Sequence, residues 1–197
     1  MRRIICFISL LLILSNTAYA YSSNPKDFIN EMLGETINTL SNKNLTKEEK
    51  AKFVEKVAVE NVDIEALGLY TLGELRKSAA KQALEKYQES FKKYFLKSLT
   101  SRLTDYSSSK FEVLSADKKS ASYTIVNSKI SPGDGSPEFK IDWRIYTKNP
   151  DKPLIRDLIV EGLSMARVQK EEFSSILSSN NNDINALINE LEEFLKK

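Results

Sequence analysis

After Ser107-Ser108-Ser109 the hydrophobic period of this chain changes from that of a helix to that of a strand, and it changes back only near Met165. Between those points Lys110 to Ala116, Lys119 to Ile130, Glu138 to Thr147 and Leu154 to Leu163 read as four strands. The links between them are Asp117-Lys118, a Pro- and Gly-rich segment from Ser131 to Pro137, and Lys148 to Pro153. A parallel crossover needs about a dozen residues or more, so links this short join antiparallel neighbours. The chain is therefore expected to build an antiparallel meander of about four strands, which twists as all such sheets do.

Helical periods flank the meander. Phe28, Ile29, Met32, Leu33, Ile37 and Leu40 recur at helical spacing, and Thr46 with Glu49 forms a capping box ahead of Phe53, Val54 and Val57. Asp63 is placed to cap a short third helix, with Gly68 and Gly73 marking a bend beyond it. The longest element is predicted from Ala79 to Tyr106, and at ~1.5 Å per residue it is about 40 Å long, enough to cross a sheet. Two helices, Met165 to Ser178 and Asp183 to Leu195, close the chain around Asn180-Asn181-Asn182. Helices, then a meander, then helices argue an α+β fold with helices packed on one side of the sheet.

The first twenty residues have a different logic. Met1-Arg2-Arg3 precedes the apolar run Ile4 to Leu14 and a small-residue exit at Ala18-Tyr19-Ala20, which is the pattern of a cleaved secretory signal. The run is too short to span a bilayer, which takes roughly 20 apolar residues. Cleavage removes Arg2, Arg3 and the single cysteine, Cys6, and leaves residues 21–197 as one domain with 27 basic and 27 acidic side chains. A neutral chain lacks the electrostatic footprint of a nucleic-acid binder. Without cysteine, an exported domain depends on its apolar core for stability.

Histidine is absent from the whole chain, which removes Ser-His-Asp and Cys-His catalysis and most zinc chemistry. Gly133-Asp134-Gly135 stands between prolines and before a strand, so it reads as a hairpin tip rather than a phosphate loop. No catalytic residue, metal site or cofactor is expected. In the third strand Phe139, Ile141, Trp143 and Ile145 alternate with Lys140, Asp142, Arg144 and Tyr146, and in the second Tyr123 and Ile125 share a face. The expectation is that these six face the helices and line or abut one apolar cavity; packing as plain core fits the same pattern. Asp142 and Arg144 share a face and fit either a mutual ion pair or contacts with a ligand. Phe91, Phe95 and Leu99 form a helical stripe suited to covering a sheet.

Beyond these patterns, Ile141-Asp142-Trp143-Arg144-Ile145-Tyr146 and the stretch from Asp157 to Phe173, with Val160-Glu161-Gly162, Ser164 and Glu172-Phe173, resemble the MlaC family. Asp63, Leu72-Gly73 and Arg76 resemble that family's acidic residue and LG-aromatic-Arg segment, with Leu75 where an aromatic is common. Ile184, Ala186, Leu187 and Ile188 also match, and the likeness runs from about Asp27 to Leu195. The resemblance implies a twisted antiparallel sheet wrapped by helices, similar to the nuclear-transport-factor and cystatin-like architectures, with an apolar cavity between the layers. It implies a monomeric periplasmic carrier of phospholipid, not an enzyme. Its partners would be an outer-membrane lipoprotein/porin complex and an inner-membrane ABC transporter with an MCE-domain ring, and its task the maintenance of outer-membrane lipid asymmetry. Lipid-facing positions would then be Phe91, Phe95 and Leu99, Tyr123 and Ile125, the four from Phe139 to Ile145, and Val160.

Such a carrier must shield two acyl chains, on the order of 20 kcal/mol gross at about 0.8 kcal/mol per CH₂. The headgroup can stay wet at the mouth, and few charges are then needed. The rival readings are an isomerase-like enzyme pairing a carboxylate with Tyr123 or Tyr146, and a holdase or interaction module using the long helix.

Overall fold

Each helix begins where a short polar side chain can accept a backbone N–H. In the computed structural model, which describes residues 21–103, 110–133 and 135–197, Asn24 caps α1 (Pro25–Ser41), with Pro25 in the first turn where its missing N–H costs nothing. Thr46 and Glu49 close the expected capping box on α2 (Lys47–Asn61), Glu49 N–H donating to Thr46 Oγ1 at 3.2 Å and Thr46 N–H to Glu49 Oε2 at 2.8 Å. Asp63 caps α3 (Ile64–Thr71), and a 3₁₀ turn (Gly73–Lys77) leads into the long α4 (Lys81–Leu103). The expected signal segment, and Tyr106 at the foreseen end of the long helix, lie outside the described residues.

The meander is β1 (Lys110–Lys118), β2 (Tyr123–Ser131), β3 (Phe139–Tyr146) and β4 (Leu154–Val160), all antiparallel neighbours in sequence order. The first hairpin turns later than Asp117-Lys118, because pairing continues to Lys118 opposite Thr124 and the reversal falls on residues 119–122. A fifth strand was not foreseen. Glu161 and Gly162 both adopt positive φ, 48° and 82°, and this two-residue turn folds β5 (Leu163–Ser164) back onto β4. What reads in sequence as a strand entering a helix is thus a tight hairpin whose second arm ends in the Ser164 cap of α5 (Met165–Ser179). Asp183 caps the closing α6 (Ile184–Lys196).

Helices cover both faces of the sheet, not one. On one face α1 lays Phe28, Ile29, Met32 and Leu33 against Val126, Ile141, Trp143, Ile145 and Ile155. The other core is entirely helical, with Tyr87 and Phe91 of α4 packed among Ile64, Leu72, Phe173 and the buried face of α6. Tyr87 is fully buried, its hydroxyl bridging Thr71 Oγ1 at 2.9 Å and Gly68 O at 3.2 Å, and burial raises its ionisation above the ordinary tyrosine range. Among the described residues no helix is long and apolar enough to cross a membrane.

Candidate functional site: a cavity between sheet and helices

Cross-strand partners share a face of a sheet, so the register decides which side chains meet. Val126 stands opposite Trp143, Thr124 opposite Ile145 and Ser128 opposite Ile141, which makes these the α1-covered face. Tyr123 pairs with Tyr146, Ile125 with Arg144 and Asn127 with Asp142, which makes these the other face. The expectation that Tyr123 and Ile125 share a face with Trp143 is therefore corrected. Each strand alternates as read, but the register sets the two alternations in opposite phase.

A cavity of about 920 Å³ opens on the second face. Its sheet wall carries Tyr123, Ile125, Asn127, Asp142, Arg144 and Ile159, and its helical wall Ala66, Leu67, Leu69 and Tyr70 of α3 with Ala166 of α5. Of the lipid-facing positions expected from sequence, Tyr123 and Ile125 line it. Phe139, Ile141, Trp143, Ile145 and Val160 lie with the α1 core instead, because their cross-strand partners place them there. Phe91 and Phe95 stack on one another in the helical core, and half-buried Leu99 is not among the lining residues. The lining is mixed rather than purely apolar.

The charges in the wall are individually anchored. A register shift between Arg144 and Ile145 leaves Arg156 as an extra residue in β4, so Arg156 and the following Asp157 both serve the cavity face. Arg156 Nε donates to Asp63 Oδ2 at 2.8 Å and its Nη1 to the Tyr123 hydroxyl at 2.9 Å, while its guanidinium carbon lies 3.5 Å from the Tyr146 ring centre. Burial disfavours that cation, but the bonds with Tyr123 and Asp63 more than offset it and hold the guanidinium above the ordinary arginine value. Asp63 is brought there by the α2–α3 junction, where Val62 bridges Ile155 and Asp63 N–H donates to Ile155 O at 2.9 Å.

Asp157 is 3 % exposed and organises the start of α5. Its Oδ2 accepts from Ser164 Oγ at 2.7 Å, its Oδ1 from Ala166 N–H at 3.0 Å, and Arg144 Nη1 lies 3.3 Å away. Asp142 and Arg144 do not pair with each other: Arg144 serves Asp157, and Asp142 Oδ1 accepts from Asn127 Nδ2 at 2.8 Å. Asp157→Ala strands the buried Ala166 N–H and removes the acceptor that steadies the Ser164 cap, so it is expected to cost about 2–4 kcal/mol. Urea unfolding of the variant against the parent measures this, and a loss under about 0.5 kcal/mol would mean that the carboxylate does not hold the junction.

The sequence reading overlooked the α3 wall and Arg156. The signal for α3 was present, since Ile64-Glu65-Ala66-Leu67-Gly68-Leu69-Tyr70-Thr71 carries a single charge and so must bury more than one face. The bulge that turns Arg156 and Asp157 to the same side has no mark in the sequence.

Taken together, fold and cavity define a small α+β domain in which a five-strand antiparallel sheet and a layer of helices enclose an open chamber. The protein-family model described as MlaC protein matches residues 30–193, and the chain belongs to the MlaC family. Among solved structures it is similar to a phospholipid-binding protein from Ralstonia solanacearum in complex with a phospholipid. That likeness has a TM-score of 0.71 over 86 % of this chain and 97 % of the other, at 16 % identity, and concerns the fold. No curated protein matches the chain.

Proposed function

We propose that this chain is a soluble periplasmic carrier that encloses the acyl chains of a phospholipid between the sheet and α3. The observation that carries the reading is the chamber of about 920 Å³ between the cavity face and the apolar side of α3, in a chain of the MlaC family. Its volume lies at the upper end of the ~300–1,000 Å³ usual for small-molecule sites. Residues 1–20 would act as a cleaved export signal and 21–197 as the single carrier domain. Lipid would pass between an outer-membrane lipoprotein/porin complex and an inner-membrane MCE-domain ABC transporter, sustaining outer-membrane lipid asymmetry. The carried phospholipid is the ligand, and no resident cofactor is required.

The isomerase-like alternative gains nothing from the geometry. Tyr123, which would act with a carboxylate, accepts a hydrogen bond from Arg156, and Asp63 is committed to the same guanidinium. The carrier reading is tested by native mass spectrometry of purified protein, followed by transfer of a fluorescent phospholipid to plain liposomes and to proteoliposomes bearing the transporter. Bound phospholipid and faster transfer to the proteoliposomes are expected, because buried tails make unaided escape costly. Protein free of lipid after incubation with vesicles would overturn the carrier reading; equal transfer rates would overturn the assignment of the acceptor.

A further inference from the structure

The cavity wall is a ledger of charges that nearly all cancel in place. Arg156 is paired with Asp63 at 2.7 Å, Arg144 with Asp157 at 3.3 Å, and Lys119 with Asp117 at 3.9 Å. Two charged lining residues remain. Arg76, in the 3₁₀ turn after α3, donates through Nη1 to Gly73 O at 2.8 Å and makes no ion pair among the described residues. Asp142, on β3, accepts through Oδ1 from Asn127 and likewise has no cationic partner among them. Asn127 is held in that orientation because its own Oδ1 accepts from Ser115 Oγ at 2.8 Å. The chamber thus keeps one uncompensated cation on its helical wall and one uncompensated anion on its sheet wall.

We infer that this pair reads a zwitterionic headgroup, a phosphodiester joined to a primary ammonium, in preference to a purely anionic one. The inference rests on the phospholipid-carrier reading and deepens it. Arg76 offers the planar donors suited to a phosphodiester, and the free oxygen of Asp142 offers an acceptor and a full negative charge to the ammonium. A headgroup without an ammonium leaves Asp142 unanswered beside an added negative charge, so discrimination comes from what the wrong ligand fails to neutralise. The headgroup then enters the chamber instead of remaining at its mouth, contrary to what the neutral composition alone implies.

The test loads the purified chain from vesicles of equimolar phosphatidylethanolamine and phosphatidylglycerol with identical acyl chains and reads the bound ratio by native mass spectrometry. Matched tails cancel in the ratio, which also separates selectivity from total binding. Phosphatidylethanolamine should be enriched about fivefold, the upper range for a partly exposed ion pair. Asp142→Asn preserves the acceptor for Asn127 and should return the ratio to that of the vesicles. Arg76→Gln should lower occupancy by both lipids, and Arg76→Lys should restore it, circular dichroism confirming that each variant is folded. A parent protein with the vesicle ratio, an Asp142→Asn variant that keeps the enrichment, or a folded Arg76→Gln variant with unchanged occupancy would each overturn the inference. Parent protein without either lipid would instead overturn the carrier reading beneath it.

Discussion

Trp143→Ala is expected to lower folding stability by about 3–5 kcal/mol. The indole is 7 % exposed in the core between α1 and the sheet, and its Nε1 donates to Ser128 Oγ at 2.9 Å, which in turn donates to Ile141 O at 3.0 Å. Truncation removes a large buried surface, leaves a void beside Phe28 and Met32, and deprives the buried Ser128 hydroxyl of a donor. Trp143→Phe keeps most of the packing and should cost about 1–2 kcal/mol, chiefly for the lost N–H bond. Urea unfolding followed by circular dichroism gives both values. Native-like stability of Trp143→Ala, with lipid binding abolished, would place this side chain in the cavity and reverse the face assignment.

Ala66→Trp should show the converse pattern. Ala66 sits half-buried on the chamber wall of α3, so a larger side chain there projects into space a ligand would fill. Helix propensity costs only a few tenths of a kcal/mol, and folding stability should stay within about 1 kcal/mol of the parent. Each displaced tail methylene removes about 0.8 kcal/mol of shielding, so excluding two lowers retention roughly tenfold. Retention is read as lipid co-purified per protein, with Ala66→Ser as the size control. Full occupancy in a folded Ala66→Trp variant would show that the tails do not use this wall. The two variants act on opposite sides of one sheet, and a loss of stability in one with a loss of retention in the other separates core from site.

Reading the fold from sequence succeeded where the signal was local. The Thr46–Glu49 box, the caps at Asp63, Ser164 and Asp183, and the meander order all depend on residues a few positions apart. The site was less legible, because a cavity belongs to no single element. Trp143 and Ile125 each sit on the more apolar face of their own strand, and nothing along either strand states that these faces point in opposite directions.

What the sequence by itself determined is therefore the set of elements, their caps, their antiparallel order and the pairs of side chains that alternate within each strand, since dihedral preference, hydrophobic period and link length act over short distances. Only the tertiary structure decided the phase between strands, the bulge that aims Arg156 and Asp157 together, the Glu161-Gly162 hairpin that adds β5, and the choice of α1 for the Trp143 face. The physical reason is that helices bury both faces of this sheet. With water absent from neither side by rule and apolar partners available on each, alternation ranks the two faces poorly, and the register, set by pairing along whole strands, determines which face meets α1 and which meets the chamber.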